Sequence, residues 1–145
     1  MIAVAVVLAM FGFGVYSQSG SPPGLVNGQL KPCPSAPHCV VSEQGADSAH
    51  AVVPIQIHDK MGEEPLLFVQ EVLADMGADV VATEDNYLAV TFTSAVFGFV
   101  DDVEIRLDTA NKVLQIRSSS RVGYADFGTN RNRVEAIRTA LSKAS

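Results

Sequence analysis

The sequence contains no tryptophan, only two cysteines and only three histidines among its 145 residues. It also lacks a glycine-rich phosphate loop, a serine nucleophile elbow, an HExxH zinc motif and a dinucleotide-binding fingerprint. The enzyme classes that these motifs define are therefore not indicated. A formal net charge of −6 argues against nucleic-acid binding, which relies on a basic surface. We expect no nucleic-acid partner, no metal and no other cofactor.

The charged residues that are present are unevenly distributed. Residues 61–108 contain eleven acidic side chains and one basic side chain, whereas residues 109–145 contain seven basic and two acidic ones. Such an asymmetry predicts either two faces that complement each other within one fold or a local anion site. A length of 145 residues is typical of one domain.

The first sixteen residues, MIAVAVVLAMFGFGVY, are uncharged and almost wholly apolar. A bilayer-spanning helix needs about 20 apolar residues, so this run is short for a permanent span and resembles the apolar region of a secretory signal. We expect residues 1–17 to be a signal peptide or an N-terminal membrane anchor, residues 18–30 a flexible linker, and residues 31–145 one domain. The domain would then lie in the cell envelope, either periplasmic or membrane-anchored outside the cytoplasm.

The two cysteines, Cys33 and Cys39, lie within the proline-rich segment KPCPSAPHCV. Their spacing matches neither a zinc motif nor the two-residue separation of redox-active pairs. In an oxidising compartment a disulfide between them would close a small ring. The chain-entropy estimate for a ring of this size is roughly 2 to 2.5 kcal/mol of stabilisation. We therefore predict a structural disulfide.

Periodic patterns predict two helices and an antiparallel sheet. A helix is predicted to begin near Pro65 and to end before Gly77 as its C′ residue, and a second helix is predicted to have Thr129 or Asn130 as its N-cap. Three runs between residues 86 and 118 alternate apolar and polar residues, which predicts a β-meander with one solvent-exposed face. We expect the apolar connection SAVFGFV to be covered by the C-terminal helix. The predicted fold is α+β, an antiparallel β-meander sheet with helices packed on one face.

Two long segments carry a family resemblance. SAVFGFVDDVEIRLD and IRSSSRVGYADFGTNRNRVEAIR, together with CPSAPHCV and DSAH upstream, resemble the bacterial and plastid family known as domain of unknown function 1499. The resemblance covers about residues 31–141. It implies the extent of the domain, and it implies no chemistry because the family has no established activity.

The segment RSSSRVGYADFGTNRNR, residues 117–133, is the strongest candidate binding site. Alternation along a strand places two arginines on one face and serine hydroxyls on the other, and a helix N-terminus follows. This combination suits phosphate, sulfate or carboxylate. The candidate residues are Arg117, Ser118, Ser120, Arg121, Tyr124, Asn130 and Arg131. In the alternative interpretation, Arg117 and Arg121 pair with Asp102 and Glu104 across the hairpin.

Three carboxylates, Asp101, Asp102 and Asp126, are candidates for supporting these residues. The position of Asp101 in the alternating pattern places it on the inward face, where a carboxylate must be paired or hydrogen bonded. We expect Asp101 to contact an arginine, either Arg121 or Arg131. A weaker candidate is the DSAH segment, in which the spacing of Asp47 and His50 suits a contact within one turn.

The sequence leaves three functions open. The first is a non-enzymatic envelope module that binds an anionic small molecule, a lipid headgroup or an envelope protein. The second is a hydrolase-like or transferase-like enzyme that uses Asp101 or Asp126 as its acid–base group and Arg117 and Arg121 to hold an anionic substrate. The third is a purely structural polar network without a ligand. An uncleaved N-terminal segment would add the membrane as a partner.

Overall fold

The computed structural model describes residues 1–123 and 127–144. Within these residues three α-helices accompany an antiparallel sheet of six strands, and a separate two-stranded hairpin lies near the N-terminus. The fold class is α+β, as predicted. The elements are α1 Ile2–Gln18, β1 Leu25–Val26, β2 Gln29–Leu30, β3 Cys39–Val41, β4 Ile55–Gln56, a 3-10 turn Asp59–Met61, α2 Pro65–Asp75, β5 Asp79–Glu84, β6 Tyr87–Thr93, β7 Val100–Asp108, β8 Val113–Ser120 and α3 Thr129–Lys143.

The large sheet has the strand order β3-β8-β7-β6-β5, and β4 also pairs with β8. Strands β6, β7 and β8 form the meander that the alternating patterns predict. The register places Glu104 directly opposite Arg117, and Asp102 opposite Ser119. The connection between β6 and β7 lies at the same end of the sheet as the end of β8, and this end holds the candidate site.

Helices α2 and α3 cover the inner face of the sheet. Their apolar side chains join those of the strands in one core cluster, which includes Val69 and Leu73 from α2 and Val134 and Ile137 from α3. Helix α2 ends before Gly77, whose φ of +95° is the left-handed conformation that favours glycine. Helix α3 is capped by Gly128, so the predicted N-cap at Thr129 or Asn130 was wrong by one or two residues.

The outer face of the meander β6–β8 is largely buried, contrary to the predicted solvent-exposed face. Asp102 and Arg117 are only 4% and 5% exposed, and Glu104 is fully buried. The N-terminal segment 17–33 crosses this face, and Leu30 belongs to a small apolar cluster with Tyr87. The charged side chains of the outer face therefore lie in a buried polar layer between the sheet and this segment.

Helix α1 packs against the connection between β6 and β7 at three points. The ring of Phe11 contacts that of Phe97 edge-on, with centroids 5.2 Å apart. A Cβ added to Gly14 would lie 1.6 Å from the carbonyl oxygen of Phe97, so only glycine fits there. Ser17 is 1% exposed, and its Oγ accepts a hydrogen bond from the backbone N–H of Val100 at 3.1 Å. The expectation that the C-terminal helix covers this connection is corrected, because α1 covers Phe97.

Two further features of the fold bear on the predictions from sequence. Cys33 and Cys39 form a disulfide, as predicted. Among the described residues, no helix combines the length and apolar character needed to cross a membrane.

Candidate functional site

Strand β8 divides the predicted anion site between the two faces of the sheet. Ser118 and Ser120 face α3, where Asn130 is fully buried. Ser118 Oγ donates to Asn130 Oδ1 at 2.7 Å, and Asn130 Nδ2 donates to Ser120 Oγ at 2.9 Å. Asn130 Nδ2 also donates to the backbone carbonyl of His38 at 3.0 Å. This network joins β8 and α3 to the chain beside the disulfide.

Arg121 lies on the outer face and is held by protein groups. Its Nε and Nη2 donate to the two carboxylate oxygens of Asp102, at 2.8 and 2.7 Å. Its Nη1 donates to the backbone carbonyls of Ser17 at 3.1 Å and Gly20 at 2.7 Å. The Asp102 carboxylate raises the pKa of Arg121 above its usual value. The alternative interpretation from the sequence, in which Arg121 pairs across the hairpin, describes this geometry.

Arg117 belongs to a buried cluster centred on Glu104. Arg117 Nη1 donates to Glu104 Oε1 at 3.3 Å, while Tyr87 Oη and the backbone N–H of Gly24 donate to Oε2 at 2.5 and 3.0 Å. Burial raises the pKa of Glu104, against the opposing effects of the Tyr87 hydrogen bond and the Arg117 charge. Burial also raises the pKa of Tyr87, which therefore stays a phenol donor. Among the described side chains, none hydrogen bonds to the buried Nε of Arg117.

The two arginines line a small cleft of about 290 Å³ on the outer face. The N-terminal segment forms its other wall, from Tyr16 to Pro23. The cleft is electrically balanced, because Asp102 and Glu104 neutralise the two guanidinium groups that face them. What the sequence suggests as an open cationic pocket is thus a covered layer of ion pairs.

Asp101 faces inward and contacts an arginine, but the arginine is Arg133 rather than Arg121 or Arg131. Arg133 Nη2 donates to Asp101 Oδ2 at 2.6 Å, and its guanidinium lies over the ring of Phe92, 4.5 Å from the centroid. Arg131 instead donates to the backbone carbonyls at 49 and 51, at 3.1 and 2.8 Å. The helical period explains the choice, because Arg133 lies three residues after the inward-facing Asn130 and shares its side of α3.

The Asp101–Arg133 pair lines a cavity with a volume of about 750 Å³. Helix α1, the connection between β6 and β7, the end of β8 and the start of α3 line it. Its surface is mostly apolar. The lining residues are Met10, Phe13, His38, Phe92, Thr93, Ser94, Phe99, Val100, Asp101, Ser120, Val122, Gly123, Phe127, Thr129 and Arg133.

A few polar groups converge on this apolar cavity. Besides Asp101 and Arg133, they include the hydroxyl of Ser120 and the imidazole of His38. Within the described part of the chain, the buried Nδ1 of His38 and Nε of Arg133 have no hydrogen-bond partner. Buried polar atoms normally have partners, so these two nitrogens retain unused hydrogen-bonding capacity beside the cavity.

The cavity combines a minority of the predicted site residues with others that were not predicted from the sequence. Ser120 and Asp101 line it, whereas Arg117 and Arg121 lie across the sheet and Arg131 lies outside it. Tyr124 and Asp126 lie outside the described residues. The missed polar residues are His38 and Arg133. Helical spacing from Asn130 could have indicated Arg133, but no local pattern brings His38 to the end of β8.

The DSAH segment forms a separate local structure. His50 Nδ1 lies 2.8 Å from Asp47 Oδ1, and Nε2 lies 3.1 Å from the carbonyl oxygen of Ala36. The Asp47 contact raises the pKa of His50, and the same contact lowers the pKa of Asp47. Since Ala36 lies inside the disulfide-closed ring, this pair ties the ring to the 47–50 turn. The described residues contain no group of three or more potential metal ligands.

The chain is a small α+β domain in which helix α1, the end of the antiparallel sheet and the start of α3 line a mostly apolar cavity. The chain belongs to the family described as protein of unknown function (DUF1499), whose model matches residues 29–141. The matched residues include the disulfide, the whole large sheet and most of α3. No protein with a curated description matches the chain.

Proposed function

We propose that this domain is a non-enzymatic module that binds an amphiphile in the cavity between α1 and the end of the sheet. The supporting observation is the combination of a volume of about 750 Å³ and a mostly apolar lining with a few convergent polar groups. Sites for small organic ligands have volumes of roughly 300–1,000 Å³ and this same division of chemistry. The apolar walls would take a hydrocarbon tail, and the polar edge would take the head.

The polar edge favours a head that accepts hydrogen bonds. Arg133 Nε is a donor without a partner among the described groups, and Nδ1 of His38 is a second nitrogen without one. Asp101 neutralises the charge of Arg133, so the edge has no excess positive charge. An ester, an amide or a single carboxylate therefore suits it better than a multiply charged phosphate.

A binding role agrees better than catalysis with the serine geometry. Ser118 and Ser120 both hydrogen bond to Asn130, an amide that cannot accept a proton as a general base would. The disulfide further supports a location in an oxidising compartment outside the cytoplasm, where such bonds persist. We propose that the module works there.

The experiment measures binding of a fluorescent fatty acid, 11-(dansylamino)undecanoic acid, to the full chain. The protein is kept in a detergent below its critical micelle concentration. Thr93 is an exposed residue at the cavity wall, so Thr93→Trp should obstruct the cavity and weaken probe binding by at least tenfold. Thr83→Trp places the same ring at an exposed position of β5, away from the cavity, and should bind like the wild type.

A second pair of variants tests the polar edge. Arg133→Gln removes the guanidinium beside the cavity and should weaken the dansyl fatty acid about tenfold, since a charge-assisted hydrogen bond contributes roughly 1.5–3 kcal/mol. Arg138→Gln removes the same charge from the same helix, where Arg138 contacts the backbone carbonyls at 53 and 54, and should leave binding unchanged. Equal binding by Thr93→Trp and the wild type would refute the proposed site.

A further inference from the structure

The mouth of the cavity is surrounded by exposed apolar side chains. We define the apolar collar as α1 (Ile2–Gln18), Val96 and Phe127. Phe127 is 97% exposed and Val96 is 68% exposed, and eight large apolar residues of α1 between Val4 and Tyr16 are at least 44% exposed. Phe13 and Phe127 belong to both the collar and the cavity lining, so the collar continues directly into the mouth.

Charged residues are also unevenly distributed between the two ends of the molecule. Residues 1–30 and 94–100, which include α1 and the adjoining connection, contain no charged residue. Carboxylates gather instead at the opposite end of the sheet, where Glu63, Glu64, Glu84 and Asp85 lie around one shallow depression. At the end that holds the cavity, α1 and the connection between β6 and β7 are therefore uncharged and Asp101 and Asp102 are paired with arginines. The opposite end of the sheet is acidic.

We infer that the apolar collar docks on a lipid bilayer, with the cavity mouth facing the acyl chains, and that the cavity takes its ligand from that bilayer. This inference rests on the proposed amphiphile binding and narrows the ligand to a membrane lipid. Contiguous apolar surface of this extent is uncommon on soluble monomers and marks interaction sites. A bilayer is the occupant that fits, because the collar has no charged group to pair with a polar partner.

The net charge of −6 indicates which type of membrane the apolar collar would bind. An anionic leaflet would repel the acidic body of the domain, so docking should depend on apolar contact rather than on charge attraction. We therefore expect binding to neutral phosphatidylcholine vesicles, with little change between low and high salt. Binding that requires anionic lipid and disappears in salt would contradict the inference.

The test is flotation of the full chain with phosphatidylcholine vesicles after dilution from detergent. The double variant Val96→Ser/Phe127→Ser changes two exposed side chains outside α1, and we expect its vesicle partitioning to fall about tenfold, because both lose apolar burial in the bilayer. Val53→Ser is the matched control, since Val53 is also 68% exposed but lies outside the apolar collar. It should partition like the wild type.

The outcomes separate the inference from the function on which it rests. Unchanged partitioning of the double variant would mean that α1 alone holds the membrane, and a dimer in place of vesicle binding would mean that the collar pairs with a second copy. Either result overturns the inference. Binding of the dansyl fatty acid in the absence of vesicles tests the cavity independently of membrane docking. Transfer of a fluorescent phosphatidylcholine between vesicles should also be accelerated by the wild type and lost in Thr93→Trp.

Discussion

At the scale of single residues, the outer face of the sheet shows how acidic and basic halves of a sequence neutralise each other. Arg121 pairs with Asp102, Arg117 with Glu104, and Arg106 makes two hydrogen bonds to Glu43, at 2.6 and 3.0 Å. The arginines at 117 and 121 come from the basic C-terminal part and their partners from the acidic middle. This arrangement corresponds to two complementary faces within one fold, which is one of the two interpretations of the charge asymmetry.

The Arg117–Glu104 pair gives a prediction about the energetics of this layer. Arg117→Met leaves Glu104 buried without its cation, and we expect the free energy of unfolding to fall by about 3–5 kcal/mol. Adding Glu104→Gln removes the orphaned charge while keeping an acceptor for Tyr87, so the double variant should recover most of that loss. Urea denaturation of the wild type, both single variants and the double variant measures the coupling. Losses that simply add would show that the two side chains act independently.

At the scale of elements, the contact between α1 and the connection before β7 depends on one glycine. Gly14→Ala would place a Cβ 1.6 Å from the carbonyl of Phe97, so α1 must move away from the cavity. We expect weaker fatty-acid binding, by at least tenfold, and faster proteolysis between residues 18 and 24. Gly12→Ala meets no atom within 4 Å and should be neutral or slightly stabilising, because alanine favours helix by about 1 kcal/mol.

If Gly14→Ala and Gly12→Ala show the same fatty-acid binding and the same proteolysis rate, α1 does not form a wall of the cavity. Normal fatty-acid binding by Gly14→Ala would lead to the same conclusion. Far-ultraviolet circular dichroism is the control for folding, since neither variant should lose helix content.

The elements themselves were largely predictable because their signals are local. Alternation marks β6, β7 and β8, and Pro65 and Gly77 bracket α2 with the correct chemistry at each end. The burial of the outer face was not predictable, since alternating charged residues indicate a wet face unless something covers them. The cover is a segment about 80 positions away, whose backbone N–H at Gly24 reaches Glu104.

The site was harder to predict than the fold for a similar reason. Its polar residues, His38, Asp101, Ser120 and Arg133, come from four separate parts of the chain and meet only once the sheet and α3 have packed. The predicted site lies within residues 117–133, where polar side chains are dense. Density along the chain does not distinguish the side chains that line a cavity from those that pair internally.

At the scale of the whole molecule, His50 links global stability to pH. Its two ring nitrogens face Asp47 and the carbonyl of Ala36, and donation to both acceptors requires the doubly protonated ring. Hydrogen bonding to Asp47 is the main reason that its folded pKa is raised, with Arg131 acting in the opposite direction. The stabilisation is therefore fully present below the unfolded pKa of about 6.5 and is lost as the pH rises through the folded pKa.

We expect the free energy of unfolding of the wild type to decline as the pH rises above neutral. In His50→Gln the part of this decline that comes from His50 should be absent. At pH 6 the variant should be less stable by about 1 kcal/mol, the usual contribution of such hydrogen bonds. His58→Gln, at an exposed histidine, should follow the wild type. Equal slopes in all three proteins, measured by urea denaturation from pH 6 to pH 9, would assign the decline to other groups.

The long reach of the N-terminal contacts has a kinetic consequence. Ser17 meets partners 83 and 104 positions later, and Gly24 meets one 80 positions later, so none of these contacts exists until β7 and β8 have paired. Contacts of such long sequence separation are therefore among the last to form during folding. Until these contacts form, the ion pairs between β7 and β8 are exposed to water and the apolar helix α1 has no packing partner. Early binding of α1 to a lipid surface or a chaperone is therefore advantageous for this fold.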